Sequence, residues 1–349
     1  THGGAKGKTA TELSELLHMA DSGLESVQWH AAVGGLLTQW NGLKDKERPE
    51  YMPELKIAVA NRLFGDKGAT FHANFLARTE RDYGAPMELV DFRTATEPAR
   101  QRINGWVEEQ TYERIKDLVP VNGVDSTTRM VLVNAVYFKA QWMSPFQEMF
   151  TKDRPFLVGG ETKTDVPTMS TEKNFAFGEF ADDGVRVVEL PYETGPFVMD
   201  ILVPIEAKGL AAVEAKLDAT HFDKWTGGLT HRKLDLQLPK FKLQPDGVAL
   251  SRVLIEMGLV SAFGADADFT GMAPAAEEIV ISEVFHKGFI EVNENGTEAA
   301  AATAVVARAG GMPPVDEPYA VHIDRPFAFV IRDTSTNAIL FMGRVDNPA

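Results

Sequence analysis

The sequence predicts an α+β fold on three observations. Helical spacing prevails in the first half, strand-like runs prevail from Met130 onward, and the two are interleaved without a regular βαβ alternation. At ~150 residues per domain, 349 residues correspond to about two domains or one large one. No Pro-rich or Gly/Ser-rich linker divides the chain, which favours one intertwined domain over residues 1–349.

The first helix is expected around Leu13, Leu16 and Leu17, with Thr9 or Thr11 as its cap. A second apolar stripe, Ile103, Trp106, Val107, Ile115 and Leu118, needs a partner surface. Strands are expected at Met130 to Phe138, Val185 to Leu190, Phe197 to Val203 with Asp200 inside, and Leu234 to Leu238, most of them bounded by Gly, Pro or Asp. Helical spacing returns in Leu250, Val253, Leu254 and Met257 and stops near Gly258. Two further strands are read at Glu278 to Val284 and Gly288 to Val292. Phe327 to Ile331 and Ile339 to Met342, on either side of Asp333-Thr334-Ser335-Thr336-Asn337, predict a hairpin.

Composition narrows the chemistry. With 35 Lys and Arg against 50 Asp and Glu, the net charge of −15 opposes a nucleic acid or an anionic membrane as partner. No cysteine is present, which excludes disulfides, thiolate metal sites and cysteine nucleophiles. The eight histidines, at 2, 18, 30, 72, 221, 231, 286 and 322, show no close metal-ligand spacing, and no metal or cofactor is expected. Nucleophile elbows and phosphate-binding glycine loops are absent, and Glu108-Glu109 and Glu277-Glu278 read as solvated surface rather than as an acid–base pair.

The segment Asn293 to Pro314 stands apart. As a helix it has high propensity: four alanines follow Glu298, Asn295 offers a cap and Gly310 a stop. With period two, Thr297, Ala299, Ala301, Thr303, Val305 and Ala307 share one face, and the charges Glu298 and Arg308 take the other. Those side chains are small or β-branched, as a strand sliding between paired neighbours requires. Gly296 offers an unhindered hinge, and Gly310-Gly311-Met312-Pro313-Pro314 reads as an exposed tip open to proteolysis.

The residues here resemble the serpin family over nearly the whole chain. Glu294-Asn295-Gly296-Thr297-Glu298-Ala299-Ala300-Ala301-Ala302-Thr303 is similar to the inhibitory hinge, departing at Asn295, where glutamate is usual. In family order come Asn134-Ala135-Val136-Tyr137-Phe138-Lys139-Ala140-Gln141-Trp142, Leu238-Pro239-Lys240-Phe241, Ala267-Asp268-Phe269-Thr270-Gly271-Met272, and Arg325-Pro326-Phe327 with Phe341-Met342-Gly343-Arg344-Val345. Gly4 to Leu13 looks like a helix well inside a usual serpin, so the resemblance implies that the family's first helices, a strand and the shutter serines are missing from these residues.

The resemblance implies three β-sheets, eight or nine helices and an exposed reactive centre loop, with hinge and loop over residues 294–316. It implies a monomeric suicide-substrate inhibitor, not an enzyme, whose partner is a chymotrypsin-like, elastase-like or trypsin-like serine protease. Asn134 and His286 match shutter positions, and Trp142 matches the tryptophan where the loop begins to insert. The family's spacing puts the scissile bond at Gly310-Gly311, with Arg308 and Met312 as alternatives. A non-inhibitory serpin acting as chaperone or carrier is the alternative function, and a hydrolase comes third. The expected location is extracellular, with the cytoplasm as alternative. Asn295-Gly296-Thr297 is an N-glycosylation sequon that a hinge would need unmodified, which points to a prokaryotic origin.

Overall fold

The computed structural model describes residues 1–43, 53–298 and 317–349. Among these lie seven α-helices: α1 Gly7–Leu16, α2 Ser26–Gly42, α3 Ala73–Tyr83, α4 Thr96–Gln110, α5 Leu210–Glu214, α6 Ala219–Gly227 and α7 Ser251–Glu256. Fifteen strands accompany them. They are β1 Lys56–Asp66, β2 Glu88–Val90, β3 Met130–Gln141, β4 Lys152–Val158, β5 Thr162–Phe180, β6 Val185–Pro191, β7 Phe197–Pro204, β8 Thr230–Pro239, β9 Phe241–Leu243, β10 Val248–Ala249, β11 Glu283–Asn293, β12 Gly296–Thr297, β13 Tyr319–His322, β14 Phe327–Asp333 and β15 Ala338–Val345.

The described residues fall into two compact units. The first takes residues 1–43, 56–137 and 244–289. There β3 and β11 pair in parallel, Val131 opposite Glu283 through Tyr137 opposite Phe289, with β10 beyond β11 and β1 and β2 beyond β3. The stripe expected to need a partner finds one: Ile103, Trp106 and Val107 of α4 bury against Val131, Val133 and Tyr137 of β3 and Phe285 and Phe289 of β11.

The second unit takes residues 53–55, 138–243, 290–298 and 317–349. It holds an eight-stranded sheet in the order β13-β8-β5-β6-β7-β14-β15, with β4 on β5. The expected hairpin is there as β14 and β15. Where three sheets were implied, the described residues form two. The cause is β5: its 19 residues pair first with β4, then with β8 and finally with β6, so one strand belongs to what would otherwise be separate sheets. Among the described residues seven α-helices stand against the implied eight or nine, with six short 3-10 turns beside them.

Several local expectations change. Helix α1 starts at Gly7 behind Lys6, so neither Thr9 nor Thr11 caps it. Thr9 is fully buried inside it, bonded to Ser261 Oγ at 3.0 Å and accepting from the Asp268 N–H, while Thr11 bonds back to the Gly7 carbonyl. The two strands read at 278–284 and 288–292 are one, β11, because Gly288 sits in the ladder opposite Val136 instead of interrupting it. Strand β1 went unread because Asn61, Arg62 and Gly65 break its apolar pattern.

In the first unit His30, buried in α2, meets His2 Nδ1 through Nε2 at 3.1 Å and the Tyr83 hydroxyl through Nδ1. Burial, reinforced by His2 and Arg78 and only partly opposed by Asp82, pulls the His30 imidazole down to about 4. Its folded value lies below the unfolded 6.5, so stability is fully present above pH 6.5 and is lost as pH falls toward 4. Thermal midpoints should decline over that window and decline less in His30→Gln. Parallel profiles would contradict this assignment.

Candidate functional site

Glu294 leaves the end of β11, and β12 follows at once. β12 is antiparallel to both of its neighbours, Gly296 and Thr297 lying opposite Asn293 and Val292 of β11 and opposite Gln141 and Ala140 of β3. A strand placed between two parallel strands has this direction when the chain turns back on itself. Gly296 is required by close approach: a Cβ there would lie 2.1 Å from the Ala140 carbonyl oxygen. The hinge glycine read from sequence is thus held tightly.

Thr297 is 0 % exposed, and its hydroxyl bonds Tyr192 Oη at 2.7 Å. Tyr192, at the end of β6, stacks on Trp142 with ring centres 4.5 Å apart, and burial pushes its phenol up. The Trp142 indole donates to the Asn293 carbonyl at 3.0 Å, and its main-chain N–H donates to the Asn295 carbonyl at 2.9 Å. Trp142 therefore clasps the turn on both sides of Glu294.

Glu294 is 5 % exposed. One carboxylate oxygen accepts from the Thr151 hydroxyl at 2.7 Å, and the other lies 3.0 Å from Lys240 Nζ. Burial alone would raise its pKa, but these donors hold the carboxyl below its usual value. Glu298 is buried with its backbone at φ 51°, its N–H donating to the Glu291 carbonyl at 2.7 Å.

In the first unit Asn134 of β3 and His286 of β11 lie directly opposite each other. His286 Nδ1 meets Asn134 Oδ1 at 2.5 Å, and Asn134 Nδ2 donates to Asn61 Oδ1 of β1 at 2.5 Å. The amide oxygen accepts, so His286 donates from Nδ1, and burial lowers its pKa. Three strands are tied by one polar chain. Asn61 is a partner of Asn134 that sequence reasoning did not name.

Of the expected hinge, Glu294, Gly296, Thr297 and Glu298 are placed. Ala299, Ala300, Ala301, Ala302 and Thr303, with Arg308, Gly310, Gly311 and Met312, lie outside the described residues. Thr151, Tyr192 and Lys240 were missed. Only Lys240 stood in a noted motif, and nothing there linked it to a carboxylate 54 positions further on. Among the described residues no group of side chains could hold a metal ion.

The family model "Serpin (serine protease inhibitor)" matches residues 1–348. The chain belongs to the serpin family. Leukocyte elastase inhibitor of Bos taurus is 40% identical to this serpin over 352 residues, covering 99% of this chain and 88% of the relative. Serpin B3 of Homo sapiens is 38% identical over 359 residues, covering 99% and 89%. Among solved structures, Serpin48 of the insect Tenebrio molitor matches this serpin with a TM-score of 0.83 at 32% identity, covering 99% of this chain and 87% of that one. Human thyroxine-binding globulin in complex with thyroxine matches with a TM-score of 0.85 at 29% identity, covering 100% and 88%. The fold is the serpin α+β fold, and the family is one of protease inhibitors rather than enzymes.

Proposed function

We propose that this serpin inhibits a serine protease of the elastase, chymotrypsin or trypsin type as a suicide substrate. The protease serine attacks a carbonyl in the loop and forms an acyl-enzyme. The freed loop then enters between β3 and β11 as a new strand, and the protease is displaced before water releases it. The observation that carries this reading is β12, antiparallel to both strands at the head of their parallel pair.

Continuing the β12 register without a slip would set Thr303 opposite both Asn134 and His286, on the same face as Thr297. The strand would run out near residue 307, where β3 and β11 begin. About ten residues would enter, at ~3.3 Å each roughly 33 Å of travel. Gly310-Gly311 and the alternatives Arg308 and Met312 all lie beyond that limit. Two ladder bonds per residue at ~1 kcal/mol each roughly offset ~1 to 2 kcal/mol of ordering, so burial of the small side chains must drive insertion.

A carrier role is the second reading, supported by the likeness to thyroxine-binding globulin. The small inward residues of the loop favour inhibition. Incubation with elastase, chymotrypsin and trypsin, followed by a denaturing gel and mass analysis of the released peptide, separates the two. A stable protein–protease adduct with one cut near residues 308–312 is expected; cleavage without an adduct would remove the inhibitor reading.

Asn295 sits between buried Glu294 and buried Gly296 and gives its carbonyl to Trp142, which supports an unglycosylated hinge; the prokaryotic source proposed from the sequon rests on that alone. Intact mass should equal that of the bare chain. A glycan at Asn295 would end both inferences.

A further inference from the structure

Apart from the hinge, the second unit carries a cleft of about 370 Å³ that the loop chemistry does not use. It lies where β4, β5 and β8 come together beside residues 147–150. Three cations converge on it: Lys152 and Arg154 from β4 and Lys173 from β5. This gathering is notable on a chain whose net charge is −15.

The cations there are not consumed by ion pairs. Lys152 and Arg154 have no carboxylate within salt-bridge distance among the described residues, and the Arg154 Nε is buried with no hydrogen-bond partner. Lys173 donates one proton to the Pro145 carbonyl at 2.8 Å, which leaves two to give. Burial lowers its pKa, as expected for an ammonium held partly away from water without a counter-charge.

Two carboxylates also line the cleft, and each has a partner of its own. Glu172 lies 3.4 Å from Lys233, and Asp235 bonds His322 at 3.0 Å. They face each other across the β5–β8 ladder, a like-charge pairing that an added anion nearby would aggravate unless the three cations outweighed it. The side chains of Ser170, Thr171 and Gln147 add neutral donors on the wall. Phe150, 47% exposed, supplies an apolar rim.

We infer that this cleft binds a small organic oxyanion, a phosphate or sulfate ester, with its charged end on Lys152, Arg154 and Lys173 and its organic part toward Phe150. A multi-oxygen anion matches three cations and several hydroxyl donors better than one carboxylate does. The volume exceeds what a bare oxyanion fills and falls within the range of small-molecule sites.

The test is titration calorimetry on the whole chain with inorganic phosphate, inorganic sulfate, glucose 6-phosphate and a glucose sulfate as probes. Saturable binding of at least one ester, tighter than its bare anion and weakened between about 20 and about 200 mM salt, is expected. The preferred ester distinguishes a phosphate source from a sulfate source. Lys152→Ala and Arg154→Gln should each weaken binding about tenfold. Lys208→Ala, which removes a cation paired with Glu161 elsewhere, should leave it unchanged. Lys152 is exposed, so its variant decides the matter even if Arg154→Gln folds poorly. No saturable binding by any probe, or binding equal in wild type and Lys152→Ala, would overturn the inference.

Discussion

Thr297→Arg is expected to convert the inhibitor into a substrate, raising the moles of serpin consumed per protease trapped by about tenfold or more. Thr297 has no exposed surface, bonds Tyr192 and stands between Ala140 and Val292. An arginine there must either bury an unpaired charge, at a cost of several kcal/mol, or pull β12 out of its place. In both cases insertion would start late and deacylation would win. Titration of residual protease activity against serpin concentration measures this, and Thr297→Ser, which keeps the hydroxyl, should stay near wild type. Unchanged stoichiometry in Thr297→Arg would refute the insertion route.

Glu294→Ala is expected to lower the thermal midpoint of the intact protein by about 3 °C, from a loss of about 2 kcal/mol. The buried carboxylate accepts from Thr151 and Lys240 together. Its removal leaves the Thr151 hydroxyl without its acceptor and Lys240 without its counter-ion. Lys240 is partly exposed and recovers water, which keeps the loss modest. Lys240→Ala should therefore cost less than Glu294→Ala in the same melting experiment. The reverse order would show that the Thr151 bond is not the stronger half of this anchor.

The strand at Gly296 and Thr297 was legible because its pattern is local. Alternation sets Thr297 inward, where it is fully buried, but it also sets Glu298 outward, and Glu298 is buried because its backbone, at φ 51°, leaves the strand conformation. The competing helical reading rested on alanines that lie outside the described residues, whereas Gly296 and Thr297 are strand. What holds the hinge was not legible. Tyr192 precedes Thr297 by 105 positions and Asn61 precedes Asn134 by 73, and periodicity reports which face a side chain takes, not what lies across from it. The cap expected at Thr9 failed for a related reason: its hydroxyl is taken by Ser261 and by the Asp268 N–H, partners far along the chain. The separate sheets failed because the length of β5 depends on having neighbours on both sides in succession.

The most direct measurement is the thermal midpoint of the protein before and after a single cut in the loop, read with hydrogen exchange at β3 and β11. Insertion predicts a cut form that melts at least about 10 °C higher, with slower exchange along both strands. Equal midpoints and unchanged exchange would contradict it.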